Sequence, residues 1–288
     1  MTARAALAAA KRSAAGPFFL TLCFLLQACA SPIPSPLASP LASPRSEIAR
    51  RVTALLPADV LLFGEQHDAP EHHQLERALV LELAQRGQLA ALVIEMAEQG
   101  HDTSGLGRDA SEAAVQQALA WNDAGWPWQD YGPVVMAAVR NAVPVLGANL
   151  GREGMRAAMG RTVLDAHLDA ASLAEQQENI RQGHCLLLPE SQIAPMTRIQ
   201  IARDAAMADT LARATQPGKT VLLVAGGGHV LRGLGVPTHL PAPLRTRVVL
   251  AVAGTGASSK PSNVDFVWET PPVPPVDRCV ELRRPRVN

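Results

Sequence analysis

Apolar residues along the chain form short continuous runs that alternate with segments of helical spacing. The runs lie at 59–63, 89–96, 143–148, 220–225, 247–253 and 263–268. Their length and continuity are typical of strands buried on both faces. Helical spacing covers 70–86, 112–121 and 131–141. Residues 150–216 are predicted to form two or three further helices, one of them at 193–215. Strand and helix in alternation indicate parallel pairing with right-handed crossovers, so we predict one α/β domain over residues 46–270, with a Rossmann-like, mostly parallel sheet flanked by helices.

Two of the predicted strands end in the same pattern, Gly-x-x-His. The first runs from Gly64 to His67 and the second from Gly226 to His229, 162 residues further on. Glycine lets the backbone turn sharply or approach a ligand, and the imidazole can bind a metal, carry a proton or hold an anion. Because ligands of open α/β sheets bind beyond the carboxyl ends of the strands, we expect the two elements to form two walls of one polar pocket.

Two acidic residues are expected in the same pocket. Glu65 follows the first strand and Glu95 ends the second. Together with His67 and His229 they could hold a divalent metal ion, which generates hydroxide at neutral pH, with Glu65 or Glu95 as general base. This hypothesis is a metal-dependent hydrolase of ester or peptide bonds, although the spacing fits no His-Glu-x-x-His signature. The other interpretation is a structural network in which Arg203, from the last helix of the 150–216 region, supports the pocket by neutralising a buried carboxylate.

The start of the chain predicts export. Basic residues precede an apolar stretch at 16–26, which is too short to span a bilayer and is typical of a signal peptide, here residues 1–28. The stretch ends in Leu-Gln-Ala-Cys, which resembles the bacterial lipobox, so we expect Cys29 to be acylated; an uncleaved signal anchor is the other interpretation. Alanine at position 30 follows the sorting pattern of outer-membrane lipoproteins. The Ser/Pro-rich residues 29–45 are predicted to be an extended tether in the bacterial envelope.

Charge and cysteine content narrow the function classes. Without residues 1–28 the chain has 23 basic and 26 acidic residues, a net charge of −3, which gives no indication of a nucleic-acid partner. Two cysteines, Cys185 and Cys279, remain besides Cys29. An oxidising envelope permits a bridge between them, and two separate buried thiols are the alternative. Residues 271–288 are expected to be a proline-rich tail on the surface.

Several short motifs between about residues 59 and 240 resemble, in order, one known family. They are Phe-Gly-Glu-Gln-His-Asp at 63–68, Ile-Glu-Met at 94–96, Gly-Ala-Asn-Leu at 147–150, Gly-His-Cys at 183–185, Arg-Asp-Ala-Ala-Met-Ala at 203–208 and Gly-Gly-Gly-His at 226–229. Together they are similar to the ChaN-type iron-regulated lipoproteins, the haem-binding uptake group of the Tiki superfamily. The resemblance implies a Rossmann-like fold, ferric haem held by a tyrosine, and a homodimer in which two haems stack. The wider superfamily includes metal-dependent proteases and erythromycin-esterase-like hydrolases.

The aromatic residues indicate where a haem would bind. Seven aromatic residues remain after residue 28, and Trp121, Trp126, Trp128 and Tyr131 lie within eleven positions. Tyr131 is the only tyrosine, so the resemblance makes it the predicted axial ligand of ferric iron. This places the predicted haem contact on the aromatic segment rather than in the Gly-x-x-His pocket. The alternative is that the cluster only packs a loop and a helix against the core.

Haem propionates need hydrogen-bond donors. His184, Arg152, Arg156 and Arg181 are candidates, and His184 is preferred because it lies in the family-like Gly-His-Cys segment. A histidine that caps a helix end is the alternative interpretation of His184. The sequence thus predicts a lipid-anchored envelope protein that binds haem for iron acquisition and is more a haem-binding protein than an enzyme. A metal-dependent hydrolase and a structural lipoprotein with a degenerate site are the alternatives.

Overall fold

The computed structural model describes residues 44–254, 263–277 and 279–280. Its six strands form one parallel sheet in the order β3-β2-β4-β1-β5-β6. They are β1 (Val60–Glu65), β2 (Leu89–Glu98), β3 (Val145–Asn149), β4 (Thr220–Gly226), β5 (Thr246–Ala253) and β6 (Phe266–Thr270). The predicted α/β fold with a parallel sheet is confirmed. The predicted signal peptide, Cys29 and most of the predicted tether lie outside the described residues.

Seven α-helices accompany the strands in the described part of the chain. They are α1 (Pro44–Leu55), α2 (Pro70–Gln85), α3 (Glu112–Ala118), α4 (Trp128–Arg140), α5 (Arg152–Met159), α6 (Ala170–Gly183) and α7 (Glu190–Ala214). Short 3-10 turns cover Thr162–Ala166, Gly227–Val230 and Val236–His239. The sequence pattern did not predict α1, because only a narrow stripe with Val52 and Leu55 is fully buried. Helix α4 begins three residues earlier than predicted, where the Asp123 carboxylate accepts a hydrogen bond from the Trp128 backbone N–H at 2.8 Å.

The sheet separates two apolar layers. Leu61 and Phe63 of β1 pack with α1 to α4, and the alternating residues Val60 and Leu62 pack with α7 on the opposite face. This alternation follows from the two-residue repeat of a strand. Since both faces are covered, the central strands are apolar throughout, which explains the continuous runs in the sequence.

Strand β4 is inserted between β1 and β2, although it is the fourth strand along the chain. In the β1–β4 register Gly64 pairs with Ala225 and Glu65 with Gly226. Because β4 pairs in parallel with both β1 and β2, the carboxyl ends of the three strands lie together at one edge of the sheet. This edge is where parallel α/β sheets bind ligands.

Helices α5 and α6 pack against α7. Beyond α6, Cys185 forms a disulfide with Cys279, with their Cα atoms 5.7 Å apart. The bridge ties Cys279 of the proline-rich tail to the α6–α7 corner, so the alternative of two separate thiols is wrong. In residues 44–254, 263–277 and 279–280 no helix combines the length and the apolar character needed to cross a membrane.

Candidate functional site

The end of β1 carries a buried carboxylate with several partners. Glu65 Oε1 accepts a hydrogen bond from His67 Nδ1 at 2.7 Å and one from the Tyr131 hydroxyl at 2.8 Å. Glu65 Oε2 lies 3.2 Å from His73 Nε2 on α2. Burial alone would raise the pKa of Glu65, but the hydrogen bond from His67 and the nearby imidazole of His73 lower it below its ordinary value. Glu65 is therefore an anion within the protein interior.

A second carboxyl group, Glu76 on α2, lies beside Glu65 and is completely buried. Neither of its oxygens makes a hydrogen bond of good geometry in the described part of the chain. Burial and the neighbouring charge of Glu65 raise the pKa of Glu76 well above its ordinary value. Two carboxylates this close do not both ionise, so Glu76 is the neutral partner of the pair.

At the end of β2, Glu95 is an anion held by cations and a backbone donor. Its Oε1 accepts a hydrogen bond of 2.5 Å from the Arg203 guanidinium, and its Oε2 accepts one of 2.8 Å from the Gly226 N–H. His229 Nε2 lies 3.5 Å from Oε1. Although burial works against the charged form, His229 and Arg203 hold the pKa of Glu95 far below its usual range. Arg203 thus neutralises a buried carboxylate, as the structural-network interpretation predicted.

His229, at the end of the second Gly-x-x-His element, forms an acid–base pair with Asp204 of α7. The Nδ1–Oδ1 distance is 2.5 Å, and both side chains are buried. Burial opposes a charge on His229, but Glu95 and Asp204 raise its pKa to about 9. Gln200, one turn before Asp204 on α7, lies 3.0 Å from His229 Nε2. At neutral pH the pair holds a proton between imidazole and carboxylate.

His67 is the side chain that joins these groups to solvent. Its side chain is 31% exposed, and its Nε2 lies 3.9 Å from Glu95 Oε2. Because a carboxylate only accepts, Nδ1 donates to Glu65 and Nε2 faces the groove between the strand ends. Burial opposes a charge on this ring, but Glu65 and Glu95 raise its pKa. The groove has a volume of about 440 Å³, and Glu65, His67, Glu95, Arg203 and His229 are among its lining residues.

The aromatic cluster is part of the same site. The Trp126 ring stands edge-on to His67 with 4.8 Å between centroids, and the Tyr131 ring lies 5.9 Å from Trp126 and 4.7 Å from His73. The prediction that the aromatic segment and the Gly-x-x-His pocket are separate places is wrong, because the Tyr131 hydroxyl reaches Glu65. Tyr131 lies in the first turn of α4, and this position brings its hydroxyl to the end of β1.

In this arrangement the Tyr131 hydroxyl is not accessible to a haem iron. The residue is 3% exposed, and its hydroxyl is directed at Glu65 and His67. Burial, and after it the charge of Glu65, raises the pKa of Tyr131 far above its ordinary value. A phenolate ligand would require the cluster to open, so the role of Tyr131 as an iron ligand stays a prediction.

His184, the predicted propionate donor, lies at the end of α6 and does not line the groove. Its Nδ1 donates to the Ile180 carbonyl at 2.8 Å, which is the helix-capping arrangement beside a disulfide cysteine. Nε2 remains the ring atom that could reach a ligand.

The four predicted metal ligands converge, but not as a coordination shell. Within the described ranges no group of three or more His, Cys, Asp or Glu is placed to hold a metal ion. Glu95 is occupied by Arg203, a fixed cation, and His229 points its Nδ1 at Asp204. The donor atoms form hydrogen-bonded pairs instead, which suits acid–base chemistry.

The sequence pattern gave no site role to His73, Glu76 or Gln200. All three are on helices, whose faces toward the sheet edge depend on packing that one sequence does not specify. The position of Glu76 three residues after His73 was the available signal, because residues at i and i+3 share a helix face. A glutamate on the apolar side of α2, between Leu75 and Leu79, marks it as a buried acid.

The chain is similar to known proteins in both sequence and fold. The profile of a family described as "Haem-binding uptake, Tiki superfamily, ChaN" matches residues 51–240. The structure titled "Cofacial heme binding to ChaN of Campylobacter jejuni" is similar in fold, with a TM-score of 0.58 and 24% identity over 71% of this chain and 86% of that one. "The structure of the type III effector HopBA1" gives a TM-score of 0.49 and 15% identity over 78% of this chain and 94% of that one. No curated protein matches the chain.

Proposed function

Because this chain belongs to the ChaN haem-binding uptake family of the Tiki superfamily, we propose that it binds ferric haem for iron acquisition. The match over residues 51–240 carries the proposal, because it includes both Gly-x-x-His elements, Tyr131 and the Gly-His-Cys segment. The fold shared with the ChaN of Campylobacter jejuni is consistent with it. On this proposal the protein is a carrier of haem rather than an enzyme.

Ferric haem added to the purified protein tests the proposal directly. We expect a shifted Soret band, together with the charge-transfer absorption of tyrosinate-bound iron. Tyr131→Phe keeps the ring in the aromatic cluster and removes the only phenol of the chain, so it should abolish the tyrosinate absorption. An unchanged haem spectrum would refute haem binding. A shift that is the same in Tyr131→Phe would refute only the ligand assignment.

Tyr131 is buried, and its ring lies 5.9 Å from that of Trp126, so haem can reach the phenol only if the aromatic cluster opens. Trp126→Ala should therefore speed haem binding through Tyr131.

His184→Gln keeps a side chain of similar size at the end of α6 and tests the proposed propionate contact. Sedimentation velocity with and without haem tests the proposed homodimer with stacked haems.

We also propose that the protein is a lipoprotein of the bacterial envelope, anchored through an acyl chain on Cys29, with the outer membrane as its location. The support is the lipobox-like Leu26-Gln27-Ala28-Cys29 after an apolar segment. Mass spectrometry of the mature amino terminus should find an acylated Cys29, and Cys29→Ser should release the protein from the membrane fraction. An unmodified cysteine in membrane-bound protein would refute the anchor.

A second candidate is hydrolysis by acid–base catalysis, and the position of His67 favours it. A histidine that donates to a buried carboxylate and presents its other nitrogen to an open groove can take a proton from water. Arg203 and the backbone N–H groups of the turn Gly227–Val230 could stabilise a developing negative charge. A panel of esters and peptides, with and without added divalent metal, tests this function. Glu65→Gln should abolish turnover and the exposed Glu269→Gln should not; no turnover by the wild-type protein refutes the candidate.

A further inference from the structure

Two imidazole rings lie stacked beside α7, outside the groove. His167 follows the turn Thr162–Ala166, and His239 ends the turn Val236–His239. Their ring centroids are 3.7 Å apart, and the ring planes are within 3° of parallel. The exposed ring of His167 therefore covers one face of the half-buried ring of His239. The pair is called the histidine stack below.

Hydrogen bonds connect the histidine stack to the turn behind the groove. The Thr238 hydroxyl donates its single proton to the Gly235 carbonyl at 2.8 Å. It therefore accepts from His167, whose Nε2 lies 2.9 Å away, and this fixes the proton of a neutral His167 on Nε2. Gly235 packs directly against His229, because a Cβ at position 235 would overlap the His229 carbonyl. The histidine stack thus supports one wall of the groove through Thr238 and Gly235.

The surroundings of His239 favour its neutral form. Its Nε2 is buried and has no hydrogen-bond partner among the residues that the structure describes. A proton on this atom would be a buried donor without an acceptor, which is costly. Burial, and after it the charge of a protonated His167, lower the pKa of His239 to about 4. Burial also lowers the pKa of His167.

The charged groups on the neighbouring elements are already engaged. The turns of the histidine stack pack against α7, and the turn Val236–His239 also packs against the turn Gly227–Val230. The engaged groups on these elements and at the start of α6 are the ion pair Asp165–Arg198, the helix cap Asp169, the pair Asp204–His229 and Arg203 with Glu95. Burial alone shifts the pKa of His167, and His239 responds only to burial and to His167. No carboxylate of the described chain therefore compensates a charge on the histidine stack.

We propose that the histidine stack is an acid-operated latch, which holds residues 237–240 against the domain at neutral pH and releases them when both imidazoles carry a proton. With both rings protonated, two like charges would face each other at the 3.7 Å spacing of the stack. His239 therefore takes up its proton by leaving the stack, where Nε2 gains water as an acceptor. The inference depends neither on haem binding nor on the envelope location.

The direction of the pH effect follows from the lowered pKa of His239. Its pKa is about 4 in the closed form and the ordinary 6.5 in the open form, so the latch is fully effective above about pH 6.5 and weakens as the pH falls toward 4. Val236, completely buried in the core, limits the opening to the residues after it. Thr238 then gives up both bonds to the Gly235 carbonyl, one from its N–H at 3.0 Å and one from its hydroxyl. Acid thereby loosens the support behind His229.

Hydrogen exchange of the Thr238 amide, followed by NMR on the whole protein without ligand, tests the proposal. After correction for the intrinsic exchange rate, we expect protection of this amide to fall at least about tenfold between pH 7.5 and 5, because opening gains a proton on His239. The Leu62 amide in the centre of β1 reports global unfolding and should lose less protection. His239→Phe keeps a ring on His167 but does not titrate, so its protection should vary less than about threefold. His101→Gln removes a histidine elsewhere and should behave as the wild type.

His167→Gln is the second variant, and it keeps the proposal testable if the larger ring at position 239 prevents folding. It retains a donor for the Thr238 hydroxyl but removes the second charge, so its loss of protection should be smaller than that of the wild type. An equal loss in the wild type and in either variant would overturn the proposal. A loss at Leu62 as large as that at Thr238 would assign the effect to global unfolding and would overturn it as well.

Discussion

The Tyr131 hydroxyl donates a 2.8 Å hydrogen bond to Glu65 Oε1, 66 residues away in sequence. This bond connects helix α4 and the aromatic cluster to the acidic end of β1. We therefore expect a substitution in the aromatic cluster to affect the charged groups around Glu65, and a substitution of Glu65 to affect the aromatic cluster.

Tyr131→Phe removes the donor and leaves the ring in place. We expect the free energy of unfolding to fall by about 2 kcal/mol, because a buried carboxylate loses one of its hydrogen bonds. Urea denaturation with the exposed Glu269→Gln as control measures the change. Equal midpoints for Tyr131→Phe and wild type would mean that the bond contributes nothing in solution.

The stability of the protein should depend on His229 at alkaline pH. The pKa of His229 is about 9 in the folded protein, above its ordinary 6.5. Its contribution is therefore fully present below about pH 6.5 and is lost as the pH rises through about 9, a change of about 3 kcal/mol. Urea midpoints between pH 6 and 10 should fall in the wild type, and His229→Gln should be flatter over the same range. Parallel curves would contradict the assignment.

Glu76 should destabilise the folded protein at neutral pH. Its folded pKa lies well above 4.5, so the stability linked to it is present below about pH 4.5 and is lost as the pH rises. Glu76→Gln keeps the volume and a donor toward Glu65 but does not titrate. We expect the variant to match the wild type near pH 4.5 and to exceed it by about 1 kcal/mol or more at pH 8. A variant that is less stable at both pH values would show that Glu76 is not a neutral acid.

The glycines of the two Gly-x-x-His elements should respond differently to alanine. A Cβ on Gly64 would lie 2.4 Å from Val230 Cγ2 and 3.0 Å from the Gly227 Cα, whereas one on Gly228 would have no atom within 4 Å. We expect Gly64→Ala to cost about 2 kcal/mol through overpacking, and Gly228→Ala to cost less than about 0.5 kcal/mol. Thermal unfolding of the pair compares them under one condition. A larger loss in Gly228→Ala would refute the packing argument.

The disulfide should add substantially to stability, because Cys185 and Cys279 close a loop of 94 residues. Cys279→Ser should lower the free energy of unfolding by about 4 kcal/mol, chiefly by releasing the unfolded chain. Cys185→Ser and the double variant should give the same loss, and reductant should affect only the wild type. Additive losses in the double variant would indicate that the cysteines act separately.

The sequence predicted the convergence of Glu65, His67, Glu95 and His229, because each follows a continuous apolar run and parallel strands share a carboxyl edge. It did not predict that β4 lies between β1 and β2, since the order of strands depends on contacts far apart in sequence. For the same reason the sequence predicts an aromatic segment around Tyr131 but not its contact with Glu65. The places of Glu76 and His73 in the site could not be predicted, because helical spacing identifies an apolar face but not the end of the sheet against which that face packs.

The insertion of β4 between β1 and β2 has a consequence for the order in which the protein is made. Synthesis delivers Glu95 early, but its cations, Arg203 and His229, are added more than a hundred residues later. Until β4 is made, β1 and β2 have no shared neighbour in the sheet, and Glu95 lacks Arg203, His229 and the Gly226 N–H. A chain that ends before β4 therefore lacks one wall of the groove, and we expect the groove to bind its ligand only after residues 226–229 have been made.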